Sequence, residues 1–164
     1  MVAGIRLMSR PLNNALNSER SRLSGAAVEL FTVLAIGLGS SFEPLVSQFV
    51  PTLLALCGRT NKVFTSRARA CILAVIQHAR LPSLLPYLAE LANNKSVFLR
   101  LTAAEGILAC LNCFNPPDLE KETRARVVED FIKLTARDAS ADVRKASKEV
   151  FKAYKTLMPA RVDR

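Results

Sequence analysis

Tryptophan is missing from this chain, histidine occurs once, and aromatic residues make up only 6% of it. A core so poor in large rings must be filled by medium and small side chains, and the dominance of Leu, Ala and Val suits many closely packed helices. No stretch reaches the ~18 uninterrupted apolar residues that span a bilayer, so no membrane partner is expected. The segment from Met1 to Leu16 carries Arg6 and Arg10, but Gly4 and Ser9 break its apolar run and no small-residue cleavage site follows. It reads as a helix whose partner has been cut away, not as a targeting peptide. The four cysteines, Cys57, Cys71, Cys110 and Cys113, fall inside apolar runs of a leaderless chain, which predicts reduced, buried thiols in an intracellular protein. A Gly-rich phosphate loop and a metal-ligand cluster are also lacking, so no cofactor and no metal are expected.

Acidic residues are missing from one long window. Between Glu43 and Glu90 there is none, while Arg59, Lys62, Arg67, Arg69 and Arg80 give that stretch +5 of the chain's net +9. From Asp118 to Asp138 the balance returns, with six acids against five bases. A basic stretch raises encounter rates with any acidic polymer, whether nucleic acid, anionic lipid or an acidic protein, without choosing among them.

What the chain does contain is repetition. Asn61-Lys62-Val63-Phe64-Thr65-Ser66-Arg67 returns as Asn94-Lys95-Ser96-Val97-Phe98-Leu99-Arg100, 33 positions later. Fainter copies are Ser18-Glu19-Arg20-Ser21-Arg22 and Ser140-Ala141-Asp142-Val143-Arg144, so that the arginines are spaced by 45, 33 and 44 residues. Each copy is a polar turn feeding a run with helical apolar spacing, and such periods belong to stacked helix pairs. With 164 residues and 50% hydrophobic content, there is room for one globular domain. The fold class expected is all-α, an α-α superhelix or HEAT-repeat array of about four helix pairs, the first incomplete, over 2–38, 41–79, 81–114 and 118–158.

Local signals set the details. Pro11 predicts a kinked or divided first helix. Asn17 and Ser18 are expected to cap a helix with the stripe Leu23, Ala26, Ala27, Leu30, Phe31 and Leu34, ending near Gly37 and Gly39. A helix from Ser41 to Cys57 has Pro44 in its first turn and Pro51 inside, and Gly58 stops it. Helices follow over Val63 to Ala79, Leu81 to Ala92 and Ser96 to Phe114. Asp118 is expected to cap a helix that buries Val127, Val128, Phe131, Ile132 and Leu134. The last helix, Ser140 to Met158, is expected to bury Val143, Ser147, Val150, Phe151, Tyr154 and Leu157. In such an array the inner turns project along one edge.

The turn sequences Gly58 to Arg67 and Asn94 to Arg100, with Phe49-Val50-Pro51-Thr52-Leu53-Leu54 and Asp138 to Arg144, resemble the TOG domains of CLASP-type microtubule-associated proteins, fungal members in particular. The resemblance runs from about Ser18 to Met158. It implies HEAT repeats whose inner-turn edge binds tubulin, non-catalytic stabilisation of microtubules, and a location on cytoplasmic microtubules and the spindle. It further implies that a complete domain has about one and a half repeats before Met1, with a first turn that often carries tryptophan. The residues expected to meet tubulin are Ser18, Arg20, Arg59, Asn61, Lys62, Val63, Asn94, Lys95, Ser96, Ser140, Arg144 and Lys145.

Each residue also has a structural reading. Lys62 and Lys95 occupy equivalent turns and are favoured as contacts, because a flexible ammonium reaches acidic side chains. For Arg67, Arg100 and Arg144 a role in tying one repeat to the next outweighs a partner contact. Phe64, Val97 and Phe98 are expected in the core, leaving only Val63 for an interface. Cys110 and Cys113 match C-x-x-C but have no second pair, and only His78 as a further ligand, so zinc or redox chemistry is disfavoured. His78 has no nucleophile partner. Glu120, Glu122, Glu129 and Asp130, interleaved with Lys121, Arg124 and Arg126, read as a solvated face. The alternative function is a HEAT-type scaffold binding another acidic protein or nucleic acid, although nucleic acid is disfavoured by the scarcity of stacking side chains. An enzyme would need a carboxylate and aromatic pocket that this sequence does not offer. The oligomeric state is left open.

Overall fold

The computed structural model describes residues 1–163, and among these there are helices and no strand. The chain divides into two compact units, Met1–Leu81 and Pro82–Arg164.

The first unit begins with α1 (Val2–Leu7) and α2 (Ser9–Leu16), separated at Met8. Pro11 explains the division, since its ring crowds the carbonyl four residues back, at Leu7. A polar turn leads to α3 (Ser21–Leu38), which ends on Gly39 at φ 55, a backbone conformation that glycine adopts without strain. A 3-10 turn (Gly39–Phe42) joins it to α4 (Glu43–Leu56), with Pro44 in the first turn and Pro51 within the helix, and a second polar turn precedes α5 (Lys62–Ala79). The rings of Phe31 and Phe49 pack with centroids 4.5 Å apart in the core of this unit, where Leu16, Phe42, Leu45 and Leu53 are also fully buried.

The helical run Ser21–Leu56 contains an 18-residue window with mean hydropathy 1.6, long and apolar enough to cross a membrane by length and composition, although the chain turns at Gly39 within that run. The apolar content of α3 also misled the expected burial. This helix carries only Arg22 and Glu29 as charges, so its sequence does not select one face. The buried face is Ser24, Ala27, Val28, Phe31, Leu34 and Ala35, while Leu23, Ala26 and Leu30 are exposed, contrary to expectation.

The second unit consists of α6 (Leu84–Glu90), a 3-10 turn (Leu91–Asn93), α7 (Val97–Cys113), α8 (Pro116–Leu119), α9 (Glu122–Thr135), α10 (Ala141–Leu157) and α11 (Pro159–Val162). The helix expected from Leu81 starts only at Leu84, after the Pro82-Ser83 turn. Helix α7 is its central element, packed by α6 on one side and α10 on another, with Ile107, Cys110 and Leu111 buried. Gly106 permits this closeness, since a Cβ there would stand 2.7 Å from Leu88 Cδ2. Two further expectations fail here. Leu134 is exposed while Thr135 is buried, because the Thr135 hydroxyl donates to Phe131 O at 2.8 Å and so satisfies itself inside the helix. Phe151 is 40% exposed, and Val143, Ser147, Val150 and Tyr154 form the inward face of α10.

Candidate inner-turn surface

The four polar turns share one local device. Ser18 Oγ accepts the N–H of Arg20 at 3.1 Å, Asn61 Oδ1 that of Val63 at 2.9 Å, Asn94 Oδ1 that of Ser96 at 2.9 Å, and Asp138 Oδ1 that of Ser140 at 2.8 Å. A short side chain that binds the amide two residues on imitates a backbone turn and orients the chain for helix entry. The helix caps differ from those expected at two starts. Arg20, in extended conformation, is the N-cap of α3, in place of Asn17 and Ser18, and Lys121 is the N-cap of α9 in place of Asp118. Asp118 instead lies in α8 and stands 3.6 Å from Arg124 Nη1. Asn61, Ser96 and Ser140 cap α5, α7 and α10 with their side chains.

Arginines six residues after three of these turn formers close the arrangement. In the first unit Arg67 Nη1 donates to Ser21 O at 2.9 Å, so the start of α5 is fastened to the start of α3. Arg59 adds a second tie, with Nη2 donating to Asn17 O at 3.0 Å and its guanidinium 5.0 Å from the centre of the Phe64 ring. In the second unit Arg100 donates from Nε and Nη2 to Asp138 at 2.7 and 3.1 Å, and from Nη1 to Asn94 O and Lys95 O. Arg144 Nη1 reaches the carbonyls of Asp138 and Ala139 at 2.7 and 2.9 Å. Burial pushes the Asp138 carboxyl up. Hydrogen bonds from Arg100 and the Ser140 amide, with the charges of Arg100 and Arg144, overcome this and hold it below the usual carboxylate range. The faint copy ending in Arg22 does not fit this scheme, because the residue six after Ser18 is Ser24, whose hydroxyl donates to Leu16 O at 2.8 Å.

The candidate residues therefore fall into two groups. Ser18, Asn61, Asn94, Ser96, Ser140, Arg59 and Arg144 hold the turns together. Arg20, Lys62, Val63, Lys95 and Lys145 are exposed, and the ammonium groups of Lys62 and Lys95 have no partner among the described residues. Phe98, expected in the core, is instead 70% exposed beside the Lys95 turn. Helix α5 starts one residue after Asn61 but α7 starts three after Asn94, so Phe98 lies two residues after its N-cap where Phe64 lies three after its own, about 100° away around the helix, and Leu99 takes the buried place instead. Val97 is exposed as well.

The remaining chemistry is structural. Burial pushes the Cys71 thiol up to about 11 and raises Cys110 still further, while Cys113 is only half-buried, not buried as expected. Among the described residues no group of three or more His, Cys, Asp or Glu side chains could hold a metal ion. Glu122 and Glu129 are not simply solvated: Arg161 of α11 reaches back to both, at 2.7 and 2.6 Å, and Tyr154 donates to Glu129 as well. That cluster was not legible because its arginine lies beyond the last repeat.

Pairs of helices joined by Asx-type turns and stapled to one another by arginine define an all-α helical-repeat protein of the HEAT type. The chain belongs to the CLASP N terminal family, whose model matches residues 1–164. It is 27% identical over 155 residues to the CLIP-associated protein of Arabidopsis thaliana, covering 94% of this chain, and 27% identical over 161 residues to Protein stu1 of Aspergillus oryzae, covering 96%. A plant relative thus matches as well as a fungal one. The chain spans only 11% and 14% of the length of these two relatives. Its fold matches the crystal structure of the MAST/Orbit N-terminal domain with TM-score 0.74 at 19% identity, covering 92% of this chain and 66% of that one. It also matches, with TM-score 0.73 at 15% identity over 95% of this chain and 63% of the other, a structure described as crescerin using a TOG domain array to regulate microtubules in the primary cilium.

Proposed function

We propose that this chain is a non-catalytic tubulin-binding module of a microtubule-associated protein, working on cytoplasmic and spindle microtubules, and that the exposed residues of its polar turns make the contact. The observation that carries this reading is the pair of unpartnered lysines, Lys62 and Lys95, presented on turns whose backbones are fixed by Asn61 and Asn94 in a member of the CLASP N terminal family. A cation on a fixed base with no acid of its own is disposed to meet an acidic protein surface and to speed the encounter. Arg20, Val63, Lys145 and Phe98 are further outward side chains of these turns. The seven turn-holding residues contribute by keeping the backbone in place.

Size-exclusion chromatography and microtubule co-sedimentation test the proposal. The wild-type chain is expected to co-elute or co-sediment with tubulin, and the double variant Lys62→Glu, Lys95→Glu to lose at least tenfold in affinity while melting at the wild-type temperature. Undiminished binding by the double variant removes the site, and absence of binding by the wild type removes the function.

A further inference from the structure

A groove runs along α9 and α10 and shares only Arg144 with the polar turns. Ile132 of α9, Ala136 just beyond its end, and Ser147 and Phe151 of α10 line it, and it opens into two hollows, of about 400 and 550 Å³, that share Ile132 and Phe151. The Ser147 hydroxyl is already engaged, sharing a hydrogen bond of 2.8 Å with the Thr135 hydroxyl. Its floor therefore presents no unsatisfied polar group, and its largest accessible feature is the Phe151 ring. A large, partly exposed ring beside an apolar hollow is the kind of feature on which binding energy concentrates.

The banks are cationic. Arg144 and Lys148, one helical turn apart, both line the hollow on the α10 side, and Lys133 lines the adjoining one on the α9 side. Helix α10 as a whole has Arg144, Lys145, Lys148, Lys152 and Lys155 against Asp142 and Glu149. The nearby acids are occupied: Glu122 and Glu129 by Arg161, and Glu149 by Lys152 at 2.9 Å. No ion pair is formed by Lys148 among the described residues.

We propose that this groove docks a helical segment of another protein, acidic along one face, that seats a large apolar side chain on Phe151 and Ile132 and places carboxylates a turn apart against Arg144 and Lys148. Such a segment satisfies the apolar floor and the basic bank together, as an amphipathic helix in a groove does. The site is separate from the tubulin contact proposed above. Helix α10 has 17 residues and offers a track of about 25 Å, enough for some four turns of a partner helix.

The test uses the full 164-residue chain and a fluorescein-labelled synthetic helical peptide of about four turns, with leucines along one stripe and glutamates one turn apart beside it. Saturable anisotropy is expected, weakened about tenfold by Lys148→Glu and about tenfold by Phe151→Ser, and unchanged by Lys62→Glu with Lys95→Glu. A peptide with lysine in place of those glutamates is expected to recover binding to Lys148→Glu, which shows that this variant is folded and that the charges meet. Equal binding by a scrambled peptide of the same composition overturns the proposal, as does unaltered affinity in both groove variants. It is overturned equally if Phe151→Ser abolishes self-association of the chain in light scattering without affecting the peptide. Tighter binding of a DNA duplex or of phosphatidylserine vesicles than of the peptide, lost in Lys148→Glu, also refutes it.

Discussion

Arg100 and Asp138 are 38 residues apart in sequence and form a two-pronged ion pair, Nε to Oδ2 at 2.7 Å and Nη2 to Oδ1 at 3.1 Å, that joins one polar turn to the next. Both side chains are largely buried, 14% and 8% exposed. Removing Arg100 leaves the Asp138 charge in that environment with only Arg144 and the Ser140 amide beside it. Arg100→Ala is expected to cost about 2–3 kcal/mol, which thermal unfolding would read as a fall of about 4–12 °C. A change below about 1 °C contradicts the bridging role.

The same pair predicts a direction with pH. The folded pKa of Asp138 is depressed, so its contribution is fully present above the ordinary carboxylate value of about 3.9 and is lost as pH falls through the folded value. Asp138→Asn should therefore narrow its stability gap to wild type as the solution is acidified below about pH 4. Urea midpoints at pH 7 and pH 3 measure it, and a gap that widens on acidification refutes it.

Phe98 separates contact from stability. Being 70% exposed, it can become Ser with less than about 0.5 kcal/mol lost. If it joins Lys95 at the proposed tubulin contact, Phe98→Ser should nevertheless weaken tubulin capture several-fold in the same chromatographic assay. Unchanged capture removes Phe98 from the surface without touching the lysines.

Two glycines should respond unequally to alanine. In a helix interior the exchange ordinarily stabilises by about 0.5–1 kcal/mol. At Gly106 the new Cβ meets Leu88 Cδ2 at 2.7 Å, and Leu88 is itself buried, so Gly106→Ala is expected to destabilise by about 1–3 kcal/mol. At Gly25 the obstacle is the end of the exposed Arg67 side chain, which can swing away, so Gly25→Ala should be close to neutral while freeing Arg67 from Ser21 O. Paired urea titrations compare them.

Thiol accessibility gives a fourth readout. Cys71 and Cys110 are buried with raised pKa values and should resist alkylation at neutral pH until the chain unfolds, while half-buried Cys113 reacts first. Timed iodoacetamide labelling followed by peptide mass analysis would show the order, and early labelling of Cys110 contradicts it.

The repeat was legible in sequence because its turn formers are chemical: Asn61, Asn94 and Asp138 each need a side-chain oxygen two residues before a free amide, and no apolar substitute performs that task. The arginines were legible for a related reason, although whether each grips its own turn, as Arg144 does, or a neighbouring one, as Arg67 does, depends on side-chain reach that spacing does not encode. Burial was less legible where a helix is apolar almost all round. In α3 the register of the inward face is decided by α2 and α5, so Leu23 and Leu30 read as core and are not. Phe98 was misplaced because α7 starts two residues later after Asn94 than α5 does after Asn61. The Arg161 cluster lay outside any repeat and had no pattern to announce it.

The side-chain hydrogen bonds that shape the turns around Asn61 and Asn94 have a thermodynamic consequence. Their backbones are ordered before any partner arrives, so association need not freeze a loop. The remaining entropic cost falls on the lysine stems, at about 0.5–1.5 kcal/mol for each side chain immobilised. Affinity at such a surface is governed by how many lysine rotamers the partner must select, and should vary little with the flexibility of the turns themselves.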